Sequence, residues 1–259
     1  MNSKKDKLNA FIKLLHVMDE LREKCPWDQK QTFNSLRHLT IEETYELSDA
    51  LIDNDLEAVK KELGDLFLHI VFYSKIASEK KVFDIGDVLN GICEKLIFRH
   101  PHIYSDTIVH SEDEVKQNWE KLKLKEKVID TSVLDGVPSS LPSLVKAIRI
   151  QDKVHGIGFK WSSQQEVWGK VKEELYEFEY EFDQNNMSKM EAEFGDLLFS
   201  LVNFARYNNI NPDDALERTN KKFKSRFQIM EKLIIADKLN LSDMAVDEMN
   251  DYWKKAKNQ

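Results

Sequence analysis

Residues 40–65 read TIEETYELSDALIDNDLEAVKKELGD, and residues 171–196 read VKEELYEFEYEFDQNNMSKMEAEFGD. In the first stretch Glu42, Glu43 and Glu46 precede Glu62 and Asp65; in the second Glu173, Glu174 and Glu177 precede Glu193 and Asp196. All five acids recur at one offset of 131 residues, and Gly64 recurs with them as Gly195. Residues three and four apart share a helix face. With both halves of a stretch helical, Glu43 and Glu46 fall on one turn of a first helix, and Glu62 and Asp65 on one turn of a second. The short connection from Leu51 to Ala58 folds these helices into an antiparallel hairpin. Four carboxylates then face each other.

The apolar rhythm sets their direction. Leu36, Leu39, Leu47, Ala50 and Leu51 mark the buried stripe of the first helix, with Glu43 and Glu46 on it or at its border. Glu174 sits likewise between Val171 and Phe178. Like charges at helical spacing repel by about 0.2–0.5 kcal/mol even on a surface, and inward unpaired charge costs more, so a positive group is needed. An all-oxygen ligand set favours Mg²⁺, with Mn²⁺ as a substitute. A chain that is 32% charged has many solvated Glu-rich faces, but two copies at matched spacing argue against that reading here. A di-iron carboxylate bundle wants Glu-x-x-His; the third position after Glu62 and Glu193 is Asp, and His69 has Ser200 as its counterpart, which excludes it.

With 259 residues, eight Gly, five Pro and long stretches of helical periodicity, the expected fold is all-α with two related halves. The boundaries read as an amino-terminal module over 1–127, a linker over 128–142 (VIDTSVLDGVPSSLP, with Gly136 and two prolines) and a carboxy-terminal module over 143–259. A net charge of −8 argues against a general nucleic-acid or anionic-membrane binder. Cys25 and Cys93 have no metal-type spacing and suggest no disulfide framework, which fits a reducing cytoplasm. The lysine-rich amino terminus is interrupted by Lys13, His16 and Asp19, as in an amphipathic helix and unlike a signal peptide, and no run of eighteen apolar residues exists.

In chain order, Leu8, Phe11, Ile12, Leu15, Met18 and Leu21 keep the rhythm of an amphipathic helix that the CPWD turn at Cys25–Asp28 ends. Trp27 in that turn reads as a hydrophobic plug or as a pocket wall beside the acidic hairpin. Asp84 starts a helix to about Arg99; His100 and His102 flank Pro101 and read as turn residues rather than a metal pair. Ser111 with Glu114 reads as a capping box opening a helix that carries Trp119. A helix from Leu144 leads to HGIGFKW, whose Trp161 precedes the second acidic helix as Trp27 precedes the first; Ser163 with Glu166 opens that helix, and Asn211 with Pro212 opens a later one. Lys222 and Arg226 share a face of that later helix, Lys95 and Arg99 have the same spacing, and Trp253 mirrors Trp119.

An inward acidic cluster for Mg²⁺, a Lys/Arg face for phosphate oxygens and tryptophans such as Trp161 and Trp253 suited to stacking a base together suggest a nucleotide polyphosphate site. No G-x-x-x-x-G-K occurs, so P-loop chemistry is excluded and hydrolysis by water is the simplest reaction. These residues also carry a resemblance. EExxE followed by ExxD on a helical hairpin resembles the MazG family of all-α nucleoside triphosphate pyrophosphohydrolases, and the CPWD, RHPHIY, GFKW and NKKFKSRF segments extend it over nearly the whole chain as a two-module member. The resemblance implies Mg²⁺-dependent conversion of a nucleoside triphosphate and water to a monophosphate and diphosphate, broad base tolerance, a homodimer, and a housekeeping or stress role in nucleotide pools. It implies metal ligands at Glu174, Glu177, Glu193 and Asp196, with Glu173 positioning or activating water, and substrate contacts at Lys222, Arg226 and Trp253. It makes the second module the principal catalyst, while Glu43, Glu46, Glu62 and Asp65 form a second metal-binding or active copy. The competing readings are a dUTP or phosphoribosyl-ATP pyrophosphohydrolase, and a regulatory module that senses nucleotide or binds a partner without turnover.

Overall fold

The computed structural model describes residues 1–109, 111, 114–115, 118–119, 122 and 132–258. The chain divides into two compact units, Met1–His110 and Ser111–Gln259. Among the described residues there is no strand, and no helix is long and apolar enough to cross a membrane. Most of 112–131, including most of the expected helix around Trp119 and the start of the expected linker, lies outside the described residues; Ser111 Oγ does accept the Glu114 amide at 3.2 Å.

The first unit contains α1 (Lys4–Lys24), α2 (Phe33–Asp53), α3 (Leu56–Glu79), α4 (Ile85–Arg99) and the single turn α5 (Pro101–Tyr104). Each long helix starts where a side-chain oxygen meets otherwise orphaned amides: Ser3, Thr32, Asp55 and Asp84. The α2–α3 connection is tighter than the sequence suggested. Helix α2 runs to Asp53, and Asn54 turns the chain at a left-handed φ of 54° while its amide returns to the Ala50 and Leu51 carbonyls. Only Asn54 and the cap Asp55 lie between the helices.

Met18, Leu36, Val71, Phe72 and Ile76 form the core of this unit, each contributing about 1.5–3 kcal/mol on full burial. Leu51, expected on the buried stripe, is 56% exposed. It follows Ala50 by one residue, about 100° around the helix, and Ala50 takes the buried place. Leu8 and Ile12 of α1 are exposed as well. The CPWD segment leads into a single 3₁₀ turn at Asp28–Lys30. Arg22 fastens it: its guanidinium bonds the Asp28 carbonyl, reaches the Gln31 carbonyl at 3.3 Å, grips Glu79 with two bonds of 2.9 and 2.5 Å, and lies 5.5 Å from the Phe72 ring centroid. The reading of Trp27 as a plug is overturned. It is 55% exposed, and its neighbour Asp28 is the buried member of the turn.

The second unit contains α6 (Ser143–Gly156), α7 (Gln164–Asp183), α8 (Met187–Tyr207), α9 (Pro212–Ala236) and α10 (Val246–Lys257). Within the stretch read as linker, Val133–Gly136 forms a 3₁₀ turn whose Val133 carbonyl accepts a bond from Lys153 on α6. The 131-residue repeat extends to the punctuation of the hairpin. Ser163 caps α7 as Thr32 caps α2, Asn185 turns at φ 52° as Asn54 does, and Asn186 caps α8 as Asp55 caps α3. Helix α7 packs along α8, α6 lies on α8, and α9 touches both α6 and α8. Helices α9 and α10 form their own hairpin around Met230, Ile234 and Ala256.

Candidate active site

In the first hairpin Glu43, Glu62 and Asp65 each offer a carboxylate oxygen within 4.8 Å of the others; in the second, Glu174, Glu177 and Glu193 do. Each hairpin therefore gathers three of the four expected acids, but not the same three. Glu46 stands outside the first set and Asp196 outside the second. Burial is distributed differently too: Glu62 is 6% exposed in the first hairpin, and Glu174 is 7% exposed in the second.

Both clusters crowd like charge. The Glu193 carboxyl is held above its ordinary pKa by desolvation and then by Glu177, Asp196, Glu174 and Glu181, so the fourth acid acts on it from outside the close set. Glu43 is raised by desolvation and then by Asp65, Glu46 and Glu62, with Lys61 opposing. Glu62 Oε2 is buried and has no hydrogen-bond partner. A buried carboxylate oxygen left orphaned costs several kcal/mol, and a hard cation among oxygen donors is its natural complement, so the residues fit Mg²⁺ or Mn²⁺. Gly64 and Gly195 sit in mid-helix between the acids, where glycine is about 0.5–1 kcal/mol worse than alanine. A Cβ at either would meet nothing within 4 Å, so both helices leave open space there.

Two lysines that the sequence reading passed over supply part of the compensating charge. Lys61 Nζ lies 2.9 Å from Glu62, 3.8 Å from Asp65 and 3.9 Å from Glu46. Lys170 Nζ lies 2.8 Å from Glu173 and 2.6 Å from Glu174, and these bonds push its own pKa upward. The two lysines are not repeat equivalents: 131 residues from Lys61 is Ala192, and 131 before Lys170 is Leu39. The signal was present in the spacing, since Lys170 precedes Glu174 by one helical turn and Lys61 precedes Asp65 by one.

One turn from the first cluster, Thr40 Oγ1 lies 2.7 Å from His69 Nδ1 and 2.6 Å from Tyr73 Oη. Burial depresses the His69 pKa, with Asp65 pulling the other way. The repeat replaces this polar layer with Val171, Ser200 and Phe204.

The expected phosphate ligands Lys222 and Arg226 lie one turn apart on α9, Lys222 exposed and Arg226 half-buried. Among the described residues no ion pair joins either to the acids. Trp253 on α10 is half-buried, its ring 5.1 Å from Phe223 and 5.9 Å from the Lys257 ammonium, so it belongs to the α9–α10 packing as well as offering an edge to solvent. Trp161 is partly exposed just ahead of α7. His100 and His102 lie 5.6 Å apart with their rings tilted at 59° across the α4–α5 junction and are not part of either acidic set.

The MazG nucleotide pyrophosphohydrolase domain matches this chain twice, over residues 31–104 and 162–229. The chain belongs to the MazG family. A nucleoside triphosphate pyrophosphohydrolase of Escherichia coli K12 is 38% identical over 259 residues, covering 97% of this chain and 98% of its own length. The nucleoside triphosphate pyrophosphohydrolase/pyrophosphatase MazG of Thermotoga maritima is 41% identical over 250 residues, covering 95% of each. The uncharacterized protein YabN of Bacillus subtilis is 40% identical over 260 residues, 98% of this chain but 53% of its own length. Each MazG match takes in a whole acidic hairpin, and the second reaches Lys222 and Arg226 on α9; Trp161 and Trp253 fall outside.

Proposed function

We propose that this MazG chain is a Mg²⁺-dependent nucleoside triphosphate pyrophosphohydrolase, acting on several bases, with the α7–α8 hairpin as its principal active site. The carrying observation is the convergence of Glu174, Glu177 and Glu193 within 4.8 Å inside a MazG match. Those three and Asp196 would hold the cation, which when bound supplies charge neutralisation for the phosphates and acidifies water. Glu173, exposed at the cluster and held by Lys170, would orient an attacking water and accept its proton. The water oxygen bonds the α-phosphorus as the bond to the α–β bridging oxygen breaks, leaving a monophosphate and diphosphate. Lys222 and Arg226 would neutralise the departing phosphates, and Trp161 and Trp253 would offer faces to the base. We assign Glu43, Glu62 and Asp65, with Glu46 nearby, to a second cation-binding copy. A homodimer and a reducing cytoplasmic setting accompany this reading; exposed apolar positions on α4 and two cysteines with no disulfide support them.

The test is pyrophosphate release from a panel of nucleoside triphosphates in Mg²⁺. Glu174→Gln is expected to lose at least about a hundredfold in kcat, as for removal of one electrostatic anchor, while Glu43→Gln keeps most activity. Equal partial losses would mean two working sites. Turnover of dUTP alone would favour the narrower pyrophosphohydrolase, and nucleotide binding with no turnover would overturn the enzyme reading.

A further inference from the structure

We propose that Lys61 is a built-in counter-ion of the first acidic hairpin, so that the two hairpins bind divalent cations unequally, the first more weakly than the second. The inference rests on the reading that both sets of acids hold a cation. One ammonium group lies within 4 Å of three of the four first-hairpin acids, Glu46, Glu62 and Asp65, two of them members of the close set. At the repeat-equivalent position the second hairpin has Ala192, which carries no charge. Its own lysine, Lys170, comes from the other helix of the hairpin and bonds Glu173, outside the close set, together with Glu174.

The first hairpin nevertheless remains a cation site. Glu62 is buried, yet only its Oε1 is engaged by Lys61; Oε2 has no partner. Glu43 makes no ion pair with Lys61 within 4 Å. A divalent ion entering between Glu43, Glu62 and Asp65 would meet the ammonium at short range and be repelled by it. The Lys61 side chain is 66% exposed, so it can swing into water without unfolding anything. It thus competes with the cation and does not exclude it. Because the entering cation must displace an ammonium from carboxylates at an exposed surface, where such pairs are weak, the expected shift in cation affinity is about threefold to tenfold.

Mn²⁺ titration of the full chain, followed by the electron paramagnetic resonance signal of free Mn²⁺, tests this. Wild type is expected to show two classes of site, and Glu174→Gln to keep the weaker. In that background Lys61→Met should tighten the remaining site about threefold to tenfold, and Lys61→Arg should leave it weak. Conversely, Ala192→Lys in a Glu43→Gln chain should weaken the second site by a similar factor. Circular dichroism checks that each variant is folded. An unchanged affinity in Lys61→Met, or no Mn²⁺ bound by the first hairpin with or without the lysine, overturns the proposal. Pyrophosphate release is read on the same samples: failure of the hydrolase reading shows as absent turnover with both Mn²⁺ classes present, and failure of the lysine reading as equal classes with turnover intact.

Discussion

Glu43 and Glu193 are carboxyls made harder to ionise by their neighbours, and His69 is an imidazole made harder to protonate by burial. The signs of their contributions to stability are opposite. For a carboxyl raised in the folded state, the stabilising contribution is present below the unfolded value near 4.5 and is lost as pH rises through the folded value. At neutral pH Glu43 and Glu193 are therefore ionised against their surroundings, and a divalent cation held among the acids would relieve that. We expect Mg²⁺ to raise the melting temperature at pH 7.5 and EDTA to reverse it, with the effect largely gone at pH 4.5, where protonation competes for the same oxygens; scanning calorimetry at both pH values checks this. For His69 the unfolded chain binds a proton more readily than the folded one between the depressed value and 6.5. Its contribution is thus present above pH 6.5 and falls on acidification, and His69→Gln should flatten the decline in melting temperature between pH 7 and 5.5. A steeper decline in the variant would contradict that assignment.

At the scale of elements, the acidic hairpins owe their register to their turns. Asn54 and Asn185 hold φ of 54° and 52°, which costs a β-branched residue about 1–2 kcal/mol and glycine almost nothing. In urea unfolding, Asn54→Ile should therefore lose about that much stability while Asn54→Gly stays within roughly 0.5 kcal/mol of wild type. Equal costs for the two would show that the Asn side chain, and not the backbone twist, matters there. The helices and their caps were legible in sequence because they depend on neighbours a few residues away: Asp84, Ser163 and Asn211 cap as their types and positions suggest. The turn geometry was less legible. The sequence allowed a longer connection after Leu51, and only a left-handed Asn54 lets α2 run to Asp53 and α3 begin at Leu56.

For the whole molecule, apolar surface is left over in the first unit. Helix α4 has no fully buried residue, and Val88, Leu89, Ile92 and Leu96 remain 37–40% exposed. Apolar side chains left half-open along one helix are candidates for a partner surface, and a second copy of the chain is the expected cover. Light scattering on the eluted protein should give twice the chain mass, and Ile92→Glu should shift it toward the monomer. A monomeric wild type, or a dimer indifferent to Ile92→Glu, would move the interface elsewhere.

The sequence by itself determined the helical class, the repeat, the hairpins and the spacing of the acids along them, because helical periodicity and end-capping are local. Tertiary structure decided which acids converge: Glu43, Glu62 and Asp65 in one hairpin but Glu174, Glu177 and Glu193 in the other. That choice depends on how each helix is rotated and which rotamers its neighbours permit, and a matched spacing does not fix either. The same reason explains why Trp27 lies open while Asp28 is buried under the Arg22 clasp. It also explains why Lys61 and Lys170, unremarkable in a chain that is 32% charged, are the cations folded against the acids.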